Sequence, residues 1–286
     1  MLKNQLQELV NKYRQQNWPD FVIKNALKEF LQFPVLSFLY SREKYQNFIF
    51  MGGSALRIAY GLPRLSEDLD FNLKPKDYKA LDLNELGQEL QDYFKNDLLL
   101  EISFRAQSKD APGPERLYLK FPILQELGLA SGKDESDFLY VKIEPQVEDF
   151  KNPDYQVIPI SKFGYNFLIK TYSLKFLMTG KLNAIFKREW FKGENDEIDI
   201  KGRDYYDLYW YLEKNIEPDW QTLKDRLNIK NRNELNKALK KKIDTEVTSE
   251  KLFFDLANFF KEQKFINDFC LNYKAIIAPY LKEIKN

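Results

Sequence analysis

The sequence predicts an α+β protein in two parts, a lobe built on a mixed, twisted sheet flanked by helices and then a helical lobe. Three observations carry this prediction. Short runs with strand-like alternation occupy much of residues 47–147, apolar residues at helical spacing dominate from about Ser161 onward, and two amphipathic helical stretches precede both regions. The implied division is 1–160 and 161–286, and 286 residues suffice for two modest lobes.

The elements follow in order. Leu2, Leu6, Leu9, Val10 and Tyr13 fall on one helical stripe, and Val22, Ile23, Leu27 and Phe30 form a second after Pro19-Asp20. NFIFMGG (47–53) is an apolar run closed by paired glycines, a buried strand entering a tight turn. Ser54 is placed to cap the helix SALRIAYGL, which Pro63 and the polar LSED end, and LDFNL (69–73) resumes as strand. Residues 83–95 read as helix and 98–106 as strand. A turn is expected at Ala111-Pro112-Gly113-Pro114, followed by alternating strands in RLYLKFPIL and DFLYVKIEPQV. NFLIKTYSLKFLMTGKLNAIFKR (166–188) reads as helical, KGENDEIDIKG (192–202) as an exposed loop, and RDYYDLYWYLEK (203–214) as a new helix followed by others. No repeat, low-complexity tract or Pro-rich linker separates the lobes.

Composition excludes several chemistries. With no histidine, a Ser-His-Asp triad, a zinc hydrolase centre and an imidazole base are all absent, so catalysis must rest on carboxylates, lysine, arginine and hard cations. The single cysteine, Cys270, forms no internal disulfide or multi-thiolate site and fits a reducing compartment. A polar amphipathic start and the lack of any stretch apolar enough to span a bilayer predict a cytoplasmic protein with no membrane partner. A net charge of +1 with 30 % charged residues gives no global pull toward nucleic acid. The segment 224–242, KDRLNIKNRNELNKALKKK, is locally basic and reads either as a tRNA-binding face or as a solvated helix.

The chemistry concentrates around Asp68 and Asp70. Alternate residues of a strand share a face, so these carboxylates converge about 6–7 Å apart and can share a cation, while Leu69 and Phe71 turn to the core. For an isolated acidic pair a solvated strand end is the commoner explanation, and it is the context that changes this. Gly52-Gly53-Ser54 opens a helix directly after a buried strand, which leaves backbone N–H groups free for phosphate oxygens. Gly53 and Ser54 are therefore candidate triphosphate contacts, and together with the acidic pair they describe one end that binds a nucleoside triphosphate and another that binds its Mg²⁺ or Mn²⁺. Transfer at such a centre calls for a third carboxylate, and Glu144, on the face of YVKIEPQV that also carries Lys142, is the candidate; an ordinary exposed Lys/Glu face is the alternative.

MGGSALRIAYGLPRLSEDLDFNL resembles the signature of the AbiEii/AbiGii toxin family, related to the MenT toxins and to the polymerase-β-like nucleotidyltransferase superfamily. The family pairs this motif with a K-x-x-A and a later R-D-x-x-D element, and Lys181-Leu182-Asn183-Ala184 and Arg203-Asp204-Tyr205-Tyr206-Asp207 stand in that order. The resemblance spans roughly residues 48–212 and assigns a strand motif to Lys142 and Glu144. It implies a polymerase-β-like lobe with Asp68, Asp70 and Glu144 as metal ligands, and a helical lobe contributing charged residues to the cleft. It also implies a bacterial toxin of a toxin–antitoxin or abortive phage-defence pair, a separately encoded antitoxin, and tRNA 3′ ends as a known acceptor class. Lys181, Ala184 and Arg188 share a helix stripe that can neutralise phosphate charge, or form a solvated basic face. Asp204 and Asp207 can orient Lys181, bind ribose or serve the helix start, and Arg203 is a phosphate candidate. Arg64 and Ser66 are candidate triphosphate contacts that a turn and a cap explain equally. Two other readings stay open: the same chemistry on a protein or small molecule, and a non-catalytic nucleotide-binding module.

Overall fold

The computed structural model describes residues 2–107, 114–130, 136–148, 150–194 and 197–282. Of the turn expected at Ala111-Pro112-Gly113-Pro114, the first three residues lie outside them. Two helices open the chain. α1 (Leu2–Gln15) buries Leu2, Leu6 and Val10 at four-residue spacing, and α2 (Asp20–Tyr40) is apolar over most of its circumference and deeply buried. β1 (Ile49–Met51) passes directly into α3 (Gly52–Tyr60), which ends at Gly61 in the left-handed region, and β2 (Asp68–Asn72) follows. A short helix not anticipated from the sequence, α4 (Pro75–Ala80), precedes α5 (Leu83–Asn96). Asp82 caps α5 by accepting from the backbone N–H groups of Asn84 and Glu85.

β3 (Ser103–Gln107) is shorter than the expected strand 98–106, because Leu99 takes a positive φ of 53° and breaks the extended run. β4 (Arg116–Pro122) and β5 (Phe138–Gln146) alternate buried and half-buried residues as the sequence predicts. β6 (Tyr155–Lys162) and β7 (Tyr165–Tyr172) then form a hairpin where helix was expected from Ser161. In β7 the residues Tyr165, Phe167, Ile169 and Thr171 turn inward while Asn166, Leu168 and Lys170 turn out, so the true period is two. Leu168, 59 % exposed on the outer face, disguises that alternation. The two-residue turn requires positive φ at Phe163 (55°) and Gly164 (84°), which suits the twist of a tight hairpin.

Among the described residues, the seven strands join in one mixed sheet of order β3-β4-β5-β2-β1-β7-β6. The β1–β7 and β2–β5 pairs are parallel and the rest antiparallel. Helices follow: α6 (Leu174–Lys187), α7 (Gly202–Glu213), α8 (Trp220–Leu227), α9 (Arg232–Glu246), α10 (Ser249–Leu256) and α11 (Gln263–Ile277). Within the stretch expected to be an exposed loop, Ile198 and Ile200 are buried and Lys192 bridges Ile198. The chain separates into two compact units, Met1–Asp149 with Tyr155–Tyr172, and Phe150–Asp154 with Ser173–Asn286. The first holds the whole sheet and the second the helices from α6 on.

Candidate active site

In the first unit, β1 becomes α3 without an intervening loop, and two glycines make this possible. Gly52 has φ +73°, a region L side chains rarely occupy, and a Cβ there would strike the Asp70 carboxylate. A Cβ on Gly53 would fall 2.7 Å from an Arg64 guanidinium nitrogen and 2.9 Å from the Ser66 hydroxyl oxygen. The glycines thus let polar side chains approach the backbone of the first helical turn. Ser54 does not cap the helix as expected: Met51 is the cap residue, and the Ser54 hydroxyl, buried inside the first turn, donates to the Asp68 carbonyl and ties α3 to β2. Arg64 and Ser66 are also buried, and Arg64 donates to the Leu65 carbonyl at 2.9 Å.

Asp68 and Asp70 alternate with the buried Leu69 and Phe71 along β2. The parallel pairing of β2 with β5 sets Lys142 beside Asp68 and Glu144 beside Asp70, so four charged side chains share one face of the sheet. The Lys142 ammonium lies 3.2 Å from Asp68 Oδ1 and 2.9 Å from Glu144 Oε1. Arg116 on β4 pairs with Glu144 as well. Burial raises the Asp68 carboxyl above its ordinary value, and the charges of Glu67 and Glu144 push the same way against the lowering pull of Lys142. Burial works to raise Glu144 too, but Lys142 and Arg116 outweigh it and hold that carboxyl below the usual range. Positive charge is therefore plentiful at Glu144 and short at Asp68.

The second unit carries its own cluster. Lys181 on α6 donates to Asp204 at 2.6 Å and lies 2.8 Å from Asp207, while Arg188, at the end of that helix, reaches Asp204 at 2.6 Å. Both aspartates are buried, and the side chain of Arg188 is 39 % exposed. Burial disfavours the Asp204 charge, yet Lys181, Arg188 and Lys201 together hold its carboxyl far below the ordinary range. Asp204 is not a cap, since its oxygens are spent on these cations. Arg203 is directed elsewhere: it meets Asp255 through backbone and side chain at 2.9–3.3 Å and stacks 4.1 Å from the Phe259 ring centre.

The family model described as "Nucleotidyl transferase AbiEii toxin, Type IV TA system" matches residues 37–283, most of the chain. The chain belongs to the AbiEii family. It is a nucleotidyltransferase of that toxin family. Among solved structures, JHP933 from Helicobacter pylori is similar at 18 % identity and TM-score 0.48, over 90 % of this chain and 91 % of that one. A second structure, "putative nucleotidyltransferase from H. pylori", gives 18 % identity and TM-score 0.48 over 90 % of this chain and 94 % of that one. No curated protein matches.

An AbiEii nucleotidyltransferase uses an NTP and implies a divalent cation, and the residues fit such a group in part. Asp68 and Asp70 supply hard oxygen donors on one strand face, where burial disfavours the Asp68 charge, beside glycines whose missing Cβ atoms let Asp70, Arg64 and Ser66 close on the helix start. Among the described residues, however, no three acidic or thiol side chains gather closely enough to hold a metal. The expected trio with Glu144 is not assembled, because that carboxylate is committed to Lys142 and Arg116. Two participants escaped the sequence. Arg116 is distant in the chain and joins the site only through the β4–β5 register, and Asp255 is a lone acid within the aromatic run KLFFDLANFF.

Proposed function

We propose that this AbiEii-family chain transfers a nucleoside monophosphate from an NTP to an acceptor hydroxyl on RNA, with tRNA 3′ ends as the acceptor class the family resemblance implies. The observation that carries the proposal is the adjacency of the Asp68/Asp70 face to the glycine-opened start of α3. Bound Mg²⁺ or Mn²⁺ would neutralise phosphate charge and activate the attacking hydroxyl. Asp68 and Asp70 would hold that cation, with Gly53 and Ser54 in the segment that faces the triphosphate and Arg64 and Ser66 bracing it. Lys142 would exchange its bond to Asp68 for one to a phosphate oxygen. Release of Glu144 from that ammonium would let it join the metal or receive the acceptor proton. In the reaction the acceptor oxygen bonds to the α-phosphorus, the bond from that phosphorus to the bridging oxygen breaks, and pyrophosphate leaves.

In the second unit, Lys181, Arg188, Asp204 and Asp207 are assigned to phosphate charge and its positioning. Arg188 is the member whose side chain is partly exposed, and Arg203 is a brace on Asp255. The protein would act in the cytoplasm as a toxin in phage defence, opposed by a separately encoded antitoxin. The test is incubation with each of the four α-labelled NTPs and total RNA or total protein. Label in RNA that depends on Mg²⁺ and disappears in Asp68→Ala is expected. Label in protein alone, or unchanged transfer by the variant, would overturn the reading.

A further inference from the structure

The second unit contains a groove of about 640 Å³ that the chemistry above does not use. Lys237, Lys240 and Lys241 line it from α9 at helical neighbour spacing, Lys274 from α11, and Lys282 from the segment beyond. Among the described residues, Asp244 is the one carboxylate that lines it. Lys237, Lys240, Lys241 and Lys282 are exposed, and no ion pair engages them among the described residues, whereas the neighbouring Lys242 is spent on Glu246. This concentration sits in a protein of net charge +1, so it is a local feature rather than a share of a general excess.

The wall offers more than ammonium groups. Asn236, only 2 % exposed, lines the groove and donates its amide N–H to the Lys282 carbonyl at 2.9 Å. Its Oδ1 is buried beneath the groove surface, so Asn236 shapes the wall and holds the Lys282 backbone instead of presenting an acceptor to a ligand. Ile243, Ile277 and Leu281 give the groove an apolar floor. Ammonium donors beside the exposed acceptor Asp244 match a chain that carries both phosphates and hydroxyls. An acidic peptide supplies anions for the lysines but no hydroxyl at each repeat for Asp244 to accept from.

We infer that this groove binds the ribose-phosphate backbone of RNA. The inference deepens the function proposed above and rests on it only for RNA being the acceptor. Phosphates would sit on the lysines and ribose hydroxyls on Asp244.

The test measures anisotropy of a short fluorescein-labelled oligouridylate with wild type, with Lys237→Glu/Lys240→Glu/Lys241→Glu, and with the equal-charge control Lys74→Glu/Lys76→Glu/Lys79→Glu. All six positions are exposed, and circular dichroism checks folding. The groove variant should bind about tenfold or more weakly and lose about 2 from the slope of log affinity against log salt. The control should bind as wild type does, and oligothymidylate should bind wild type more weakly than oligouridylate. Thermal stabilisation by Mg²⁺ and NTP should survive in the groove variant, and RNA binding should survive in Asp68→Ala. Failure of nucleotide transfer is thereby separable from failure of the groove. Unchanged RNA affinity in the groove variant, equal loss in the control, equal binding of oligothymidylate, or equally effective competition by polyglutamate would each overturn the inference.

Discussion

Asp68 is the residue on which the site's electrostatics turn. Its carboxyl is raised by burial and by Glu67 and Glu144, so the folded protein binds its proton more tightly than the unfolded chain does. Stability therefore falls as pH rises from its ordinary 3.8 through the raised value, and the charged form is under strain at neutral pH. A cation reverses this by stabilising the charged form. Mg²⁺ should accordingly raise the melting temperature more at pH 7.5 than at pH 5, with a limit near 2.7 kcal/mol at a hundredfold excess over its dissociation constant. Asp68→Asn should abolish the Mg²⁺ effect while leaving metal-free stability at neutral pH equal or higher. A Mg²⁺ shift of the same size in the variant would show that the ion sits elsewhere. Lys142 provides a companion prediction. Lys142→Met removes the only cation the structure places on Asp68 among the described residues, so the metal-free protein should lose stability at neutral pH and recover more of it on adding Mg²⁺ than wild type does. An unchanged response in a thermal melt would argue against the ammonium standing in for metal charge.

At the scale of elements, the strand-to-helix turn depends on Gly52 for two separable reasons, its positive φ and the closeness of Asp70. Gly61 shares the first without the second: its φ is +76° and nothing lies within 4 Å of an added Cβ. Gly61→Ala should therefore cost about 1–2 kcal/mol in denaturant melts and keep the full Mg²⁺ response. Gly52→Ala should cost more and lose that response, because the methyl displaces the Asp70 carboxylate. Equal costs with both responses intact would remove the close approach from the account. This turn was legible in the sequence, since paired glycines between an apolar run and a helical one leave few alternatives, and the two aspartates revealed their shared face through strand parity alone. The β6–β7 hairpin was not legible. β6 is an edge strand with Pro159 and exposed Val157 in it, and its turn uses Phe163, a poor residue for positive φ. Phe163 holds that conformation through edge-on contacts with Phe30 and Phe33, rings brought from far up the chain. The Glu144 partnerships were hidden for the same reason, since only the register of β4 on β5 brings Arg116 to it.

At the scale of the whole molecule, the two units differ in how acid acts on them. In the second unit Asp204 has a strongly depressed folded value, so its contribution is complete above its ordinary 3.8 and is lost as pH falls below it. Asp154, in that unit and more exposed, is lowered by its bond to Lys175 and adds in the same direction. The first unit holds opposing cases: Glu144 is depressed from its ordinary 4.5 and loses its contribution on acidification, while Asp68 is relieved of strain by the same protons. Acid should therefore weaken the helical unit more steeply than the sheet unit. Trp190, Trp210 and Trp220 lie in the second unit and Trp18 in the first, so tryptophan emission chiefly reports the helical one. Between about pH 4 and pH 2.5 the emission should shift to the red, and pulsed hydrogen exchange read by mass spectrometry should show α6 and α7 opening before β1 and β2. Asp204→Asn should be less stable at neutral pH, because Lys181 and Arg188 lose their shared partner, yet should show a flatter decline with acid since the titrating carboxylate is gone. Simultaneous loss of protection in both units, with the same acid slope in wild type and variant, would mean that Asp204 does not govern acid stability and that its burial between two cations serves position alone.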